Sequence, residues 1–157
     1  MNILIEKHKR ILSDLVNAKV DFLLIGGYAV IYHGYMRTTG DMDIWLRPDN
    51  ENKINLINVL QKHLTDKSGI EKIRFLDFSD MVAFHIGREP EKIEFLTKIS
   101  GVNFHEAYEQ KVFLPIADFH IPVLHLNDLI VNKLTSARPK DKSDVDELQR
   151  INKLKAK

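Results

Sequence analysis

Leu23-Leu24-Ile25-Gly26-Gly27 is followed by thirteen residues, Tyr28 to Gly40, and then by Asp41-Met42-Asp43-Ile44-Trp45-Leu46. The first run is apolar and ends in two glycines; the second carries two acids. On a β-strand successive side chains alternate faces, so Asp41 and Asp43 share one side while Met42, Ile44 and Leu46 share the other. Two neighbouring carboxylates raise each other's pKa unless a cation holds both ionised. An all-oxygen pair suits Mg²⁺ or Mn²⁺, which favour carboxylates, water and phosphate oxygens. A lone Asp-x-Asp is common on solvated strands, and a Gly-Gly pair after an apolar run is more often a simple turn. Together, acids on a strand and glycines at a strand-to-helix junction point to metal-assisted phosphate chemistry.

Composition narrows the field around this stretch. With 157 residues, 44% of them hydrophobic, the chain suits one domain with one sizeable core. Within it, residues 1 to about 100 form the expected core, and residues from about 101 to 157 add a hairpin and helices. A net charge of +1 lacks the basic excess of a dedicated nucleic-acid binder, so any polynucleotide contact must be local. The absence of cysteine removes disulfides, thiolate zinc sites and cysteine nucleophiles. The apolar run Phe22 to Tyr32 is about half a membrane span, and Met1 to Leu15 mixes charges among its apolar residues unlike a signal peptide. No membrane association and a cytoplasmic location are the expectation.

Ile5, Ile11, Leu12, Leu15 and Val16 recur at helical intervals, which predicts a helix ending near Asn17. Val20 to Ile25 reads as a buried strand, Tyr28 to His33 as a helix after the glycine turn, and Met42 to Leu46 as the next strand. Pro48-Asp49-Asn50 supplies a stop and a cap for a helix over Glu51 to Leu64. Ile73 to Leu76, Met81 to Ile86 and Lys92 to Ile99 read as three short strands, the last placing Glu94 between apolar neighbours. Val112 to Ile116 and His120 to Val123 suggest a hairpin around Ala117-Asp118. Asn127 is the expected cap of a helix over Asp128 to Ala137, Pro139 interrupts, and Lys142 to Lys153 forms a last helix. Interleaved helices and mixed strands argue for an α+β fold, a mixed sheet with helices packed on it and a short C-terminal helical segment.

The spacing of Gly26-Gly27, Asp41-Met42-Asp43 and Ile93-Glu94-Phe95 resembles the nucleotidyltransferase fold shared with DNA polymerase beta. Arg37 to Asp43, Asn127 to Leu134 and Arg138 to Asp144 are further similar to small prokaryotic nucleotidyltransferases of the AbiEii-like, type IV toxin group. The resemblance spans roughly residues 20 to 150. It implies that Asp41, Asp43 and Glu94 are the catalytic metal ligands, for Mg²⁺ or Mn²⁺. It further implies that Gly26 and Gly27 admit the triphosphate, that Arg37 and Lys133 contact phosphates, and that Thr39 orients the acidic strand. The implied reaction transfers a nucleoside monophosphate from an NTP to a hydroxyl and releases pyrophosphate. In-line displacement at phosphorus fits, since two metals about 3.5 to 4 Å apart neutralise the attacking and leaving oxygens. Glu94 stands where Asp is frequent in the superfamily, and its longer side chain reaches one methylene further.

Other residues have more ordinary readings. Lys133 on a solvated helix face would be unremarkable in itself; the resemblance favours the functional role. Arg138, Lys140, Asp141 and Asp144 form a charged junction where capping and salt bridging are expected, with Asp141 as an N-cap. The seven histidines lack metal-ligand spacing and read as surface or packing residues. Tyr28 and Trp45 are the aromatics nearest the acids, and core packing outweighs base stacking for both. An enzyme acting on an RNA end, a protein hydroxyl or a small molecule is the first reading, with a partner protein or second copy completing the acceptor site. The alternative is a non-catalytic nucleotide-binding or partner-binding module of a toxin-antitoxin pair. A patch of Lys133, Arg138 and Lys140 would serve an RNA end.

Overall fold

In the computed structural model, which describes residues 4–155, the apolar run Phe22–Ile25 is strand β1 and every one of its side chains is buried. It lies inside a six-stranded mixed sheet because both its faces are apolar. Helix α1 (Glu6–Asn17) precedes it, and α2 (Gly26–Tyr32), β2 (Met42–Leu46), α3 (Asn50–His63) and α4 (Lys67–Phe75) follow. Next come β3 (Ala83–Ile86), β4 (Ile93–Leu96), α5 (Phe104–Glu109), β5 (Val112–Ile116), β6 (Phe119–Val123), α6 (Leu126–Ser136) and α7 (Pro139–Lys155). The strand order is β3-β4-β2-β1-β6-β5, so the C-terminal hairpin extends the same sheet as the N-terminal strands. The α+β class and the mixed sheet agree with the sequence expectation.

Two parallel pairings, β2 with β4 and β1 with β6, set the architecture. Helix α2 packs on β1 and β2, α1 packs on α3 and β6, and α6 and α7 pair with each other. Met42, Ile44 and Leu46 are fully buried on one face of β2. On the other face Trp45 is 1% exposed, lies edge-on to Phe104 at 5.0 Å, and donates its indole N–H to the Thr97 carbonyl at 3.1 Å. A buried indole needs such an acceptor. Trp45 is therefore a core residue.

Several boundaries differ from the sequence reading. Ile73 to Leu76 is not a strand: Ile70 and Ile73 are buried three residues apart in α4, and the Asp66 carboxylate caps that helix by accepting from the Ser68 N–H at 3.0 Å. The short window showed apolar residues without exposing their helical period. Helix α5, unforeseen, is capped by Asn103. Asn127 does not cap α6; His125 does, its Nδ1 accepting the Asn127 N–H at 3.0 Å. Pro139 opens α7, a first-turn place where its missing N–H costs nothing. Asp49 caps α3 as expected, accepting from the Asn52 N–H at 2.7 Å. Among the described residues no helix is long and apolar enough to cross a membrane.

Candidate active site

The parallel register sets Asp43 of β2 directly beside Glu94 of β4, and Ile25 at the end of β1 on its other side. Register partners share a face of the sheet, so the two carboxylates are neighbours on it. Asp41 sits just before β2, two residues earlier and on the same side. Burial pushes the Asp43 carboxyl up to about 6, with the charges of Glu94 and Asp41 adding to the effect and Arg138 opposing it. The Asp41 carboxylate lies 3.5 Å from Lys92 Nζ. His85 pairs with Glu94 from the far side, on edge strand β3.

The two glycines are there because the acids and the following loop leave no room. Gly26 has φ +65°, and a Cβ on it would overlap Asp43 Oδ2. A Cβ on Gly27 would overlap the Thr39 hydroxyl, with the Arg37 guanidinium 3.4 Å away. The turn between β1 and α2 is thus pressed against the acidic strand and the loop leading into it. Thr39 packs on Gly27.

Arg37, Lys133 and Arg138 form a network with Asp141 and Asp144 of α7. Lys133 is 5% exposed and its ammonium is paired with Asp141 at 3.1 Å and Asp144 at 2.9 Å. It does not lie on a solvated face. Arg37 donates through Nε and Nη2 to the two oxygens of Asp144, at 2.8 and 2.9 Å, and through Nη1 to the Thr38 carbonyl at 2.7 Å. Asp141 is not an N-cap; it accepts from Lys133, from the Ser136 hydroxyl at 2.5 Å and from Arg138 Nε at 2.8 Å. Burial acts to raise the Asp141 carboxyl, yet hydrogen bonds from Arg138, Ser136 and Lys133 hold it well below the usual range. Arg37 and Lys133 likewise hold Asp144 down against its burial.

These groups line one cavity of about 300 Å³. Gly26, Gly27, Arg37, Thr39, Asp41, Asp43, Glu94 and Lys133, the residues to which the resemblance gave a role in catalysis or nucleotide binding, contribute to its wall. Glu89, Arg138, Lys140 and Asp141 complete much of the remainder. Glu89 and Lys92 escaped the sequence reading. Lys92 precedes Glu94 by the spacing that separates Asp41 from Asp43, but its pairing with Asp41 is visible only once β2 and β4 are known to be in register. Tyr28 is 6% exposed and edge-on to His8, a packing role. His8 and His33 each donate a ring N–H to a backbone carbonyl, of Glu91 and Leu124, and His63 pairs with Asp14 at 2.6 Å.

The donor set is all carboxylate oxygen, which matches Mg²⁺ or Mn²⁺. The crowding that keeps a proton near Asp43 is also what a divalent cation would relieve. Among the described residues no three His, Cys, Asp or Glu side chains are already gathered tightly enough to hold a metal; Asp41 instead faces Lys92.

A strand-glycine-helix turn thus lies beside an Asp-x-Asp strand, with a third acid in register on the parallel neighbour. The chain belongs to a family of nucleotidyltransferases of unknown function, DUF6036. The family model matches residues 3–156. No curated protein sequence matches the chain. Among solved structures it is similar to a Thermotoga maritima protein assigned as a nucleotidyltransferase, with 17% identity, a TM-score of 0.61, and coverage of 95% of this chain and 97% of that one. It is similar also to an antigenic nucleotidyltransferase-like protein from Paracoccidioides brasiliensis: 14% identity, TM-score 0.56, 92% of this chain and 73% of that one. A lincosamide antibiotic adenylyltransferase with lincomycin bound shares 18% identity and a TM-score of 0.53 over 96% of this chain and 99% of that one. At such identities the shared property is the fold. Family and fold together place the chain in the nucleotidyltransferase superfamily.

Proposed function

We propose that the protein is a metal-dependent nucleotidyltransferase that moves a nucleoside monophosphate from an NTP to a hydroxyl acceptor. The observation that carries the reading is the register pair Asp43 and Glu94, with Asp41 beside it, lining one cavity together with Gly26 and Gly27. In the reaction the acceptor oxygen forms a bond to the α-phosphorus, the bond from that phosphorus to the bridging oxygen breaks, pyrophosphate departs and the hydroxyl proton passes to water. Asp41, Asp43 and Glu94 would hold Mg²⁺ or Mn²⁺, which supplies charge neutralisation at the attacking and leaving oxygens. The cavity wall carries five carboxylates against four cations, so an NTP needs that neutralisation to enter at all.

The motifs Arg37 to Asp43 and Arg138 to Asp144 support kinship with AbiEii-like, type IV toxin nucleotidyltransferases, which makes an RNA end one acceptor to try. The likeness to a lincosamide adenylyltransferase adds small molecules, and a protein hydroxyl is the third class.

The test is to incubate the protein with each radiolabelled NTP, Mg²⁺ and a host lysate, and to follow both pyrophosphate and label. Mg²⁺-dependent pyrophosphate release is expected from the wild type, with label in one fraction. Asp43→Asn and added EDTA should each abolish both signals. Undiminished release by Asp43→Asn rejects the assigned role.

A further inference from the structure

The four cations around the cavity are not equivalent. Lys133 is buried and shared between two aspartates, and Arg37 spends Nε, Nη1 and Nη2 on Asp144 and a backbone carbonyl. Their charges are matched inside the protein, so little of either is available to a ligand. Arg138 is different. Its side chain is 74% exposed, while Nε and Nη2 grip the two oxygens of Asp141 at 2.8 and 3.3 Å. Held in this fork, the guanidinium keeps Nη1 unengaged among the described residues and stands within electrostatic reach of Asp43. Lys140, two residues on, lines the same cavity, is exposed, and has no ion pair among the described residues.

Building on the reading proposed above, we infer that Arg138 is the catalytic cation that receives the departing pyrophosphate, with Lys140 assisting, while Lys133 and Arg37 are positioning residues that hold α7 and the loop before β2. A planar guanidinium anchored on one edge presents the other edge to phosphate oxygens at little entropic cost. As the bond between the α-phosphorus and the bridging oxygen breaks, negative charge accumulates on the β- and γ-phosphoryl oxygens. Arg138 meets it without needing to reorganise, because Asp141 already fixes it. Asp141 is in turn fixed by Lys133 and Ser136. The ion-pair network thus acts as the mount of one exposed cation.

Inorganic pyrophosphate is the probe, since it reports on the leaving-group site without reference to the acceptor. In Arg138→Ala, kcat/KM for the preferred NTP should fall by about 10²–10³, pyrophosphate should inhibit about tenfold more weakly, and added guanidinium should restore part of the rate. Lys140→Gln, whose side chain has no ion pair to lose among the described residues, should weaken pyrophosphate inhibition with an unchanged melting temperature, and it carries the test if Arg138→Ala does not fold. Lost activity with unaltered pyrophosphate inhibition and no rescue by guanidinium would overturn the inference and leave the transferase reading intact. A wild type that neither releases pyrophosphate from any NTP nor binds it would remove that reading, and this inference with it.

Discussion

Asp43 shows how one side chain's place in the sheet couples stability to chemistry. Its carboxyl is raised from 3.8 to about 6 in the folded protein, so folding favours the protonated form. The resulting stability is fully present below about pH 4 and is lost as pH rises through 6. Above that the ionised, crowded carboxylate destabilises the metal-free protein by up to about 3 kcal/mol. Asp43→Asn removes the charge while keeping the shape. Urea unfolding at pH 8 should therefore find this variant more stable than the wild type by about 1–3 kcal/mol, with the gap closing towards pH 4. Equal stability at both pH values would mean that the acids do not crowd one another. Asp-x-Asp was legible in the chain as a pair on one face. Its crowding with Glu94 was not, since fifty residues separate them and only strand pairing joins them.

Among the elements, the β1-to-α2 turn is the most constrained. Gly27 has no special backbone angle; its need is steric, because Thr39 occupies the space a Cβ would take. Gly27→Ala should cost about 1–3 kcal/mol through overpacking. Thr39→Gly in the same chain should recover part of it, so the double variant is less destabilised than the two single losses added together. Additive losses in a denaturant series would show that the turn and the Thr39 loop do not press on each other. The element types of α1, β1, β2 and α3 were readable from their apolar patterns, and in α3 from the Asp49 cap as well. In α4 they were not: a four-residue apolar window fits either period, and the cap at Asp66 lies outside it.

For the molecule as a whole, α7 closes the site from the other end of the chain. Asp144, 1% exposed, joins Arg37 in the loop before β2 to Lys133 in α6. Asp144→Ala would leave Arg37 without a carboxylate and Lys133 with Asp141 alone, and losses of this kind run to about 3–5 kcal/mol. Thermal unfolding should show a midpoint lower by about 10 °C. A shift of a degree or two would mean that α7 is only loosely tied to the acidic strand. The charged junction Arg138 to Asp144 was visible in the chain as a set of salt-bridging residues. Which of its members are consumed internally and which face the cavity depends on distances that no local pattern encodes.

Local rules sufficed for properties that belong to neighbours along the chain: the alternation that puts Asp41 and Asp43 together, the glycines at a sharp turn, the Asp49 cap, the mixed α+β character. They reached no further than the range of a period or a turn. The register that brings Glu94 against Asp43, the burial of Lys133 and the exposure of Arg138 arise from parallel pairing and helix packing across long loops. Those arrangements are selected by the summed burial of the core, in which the charged residues of the site take no part.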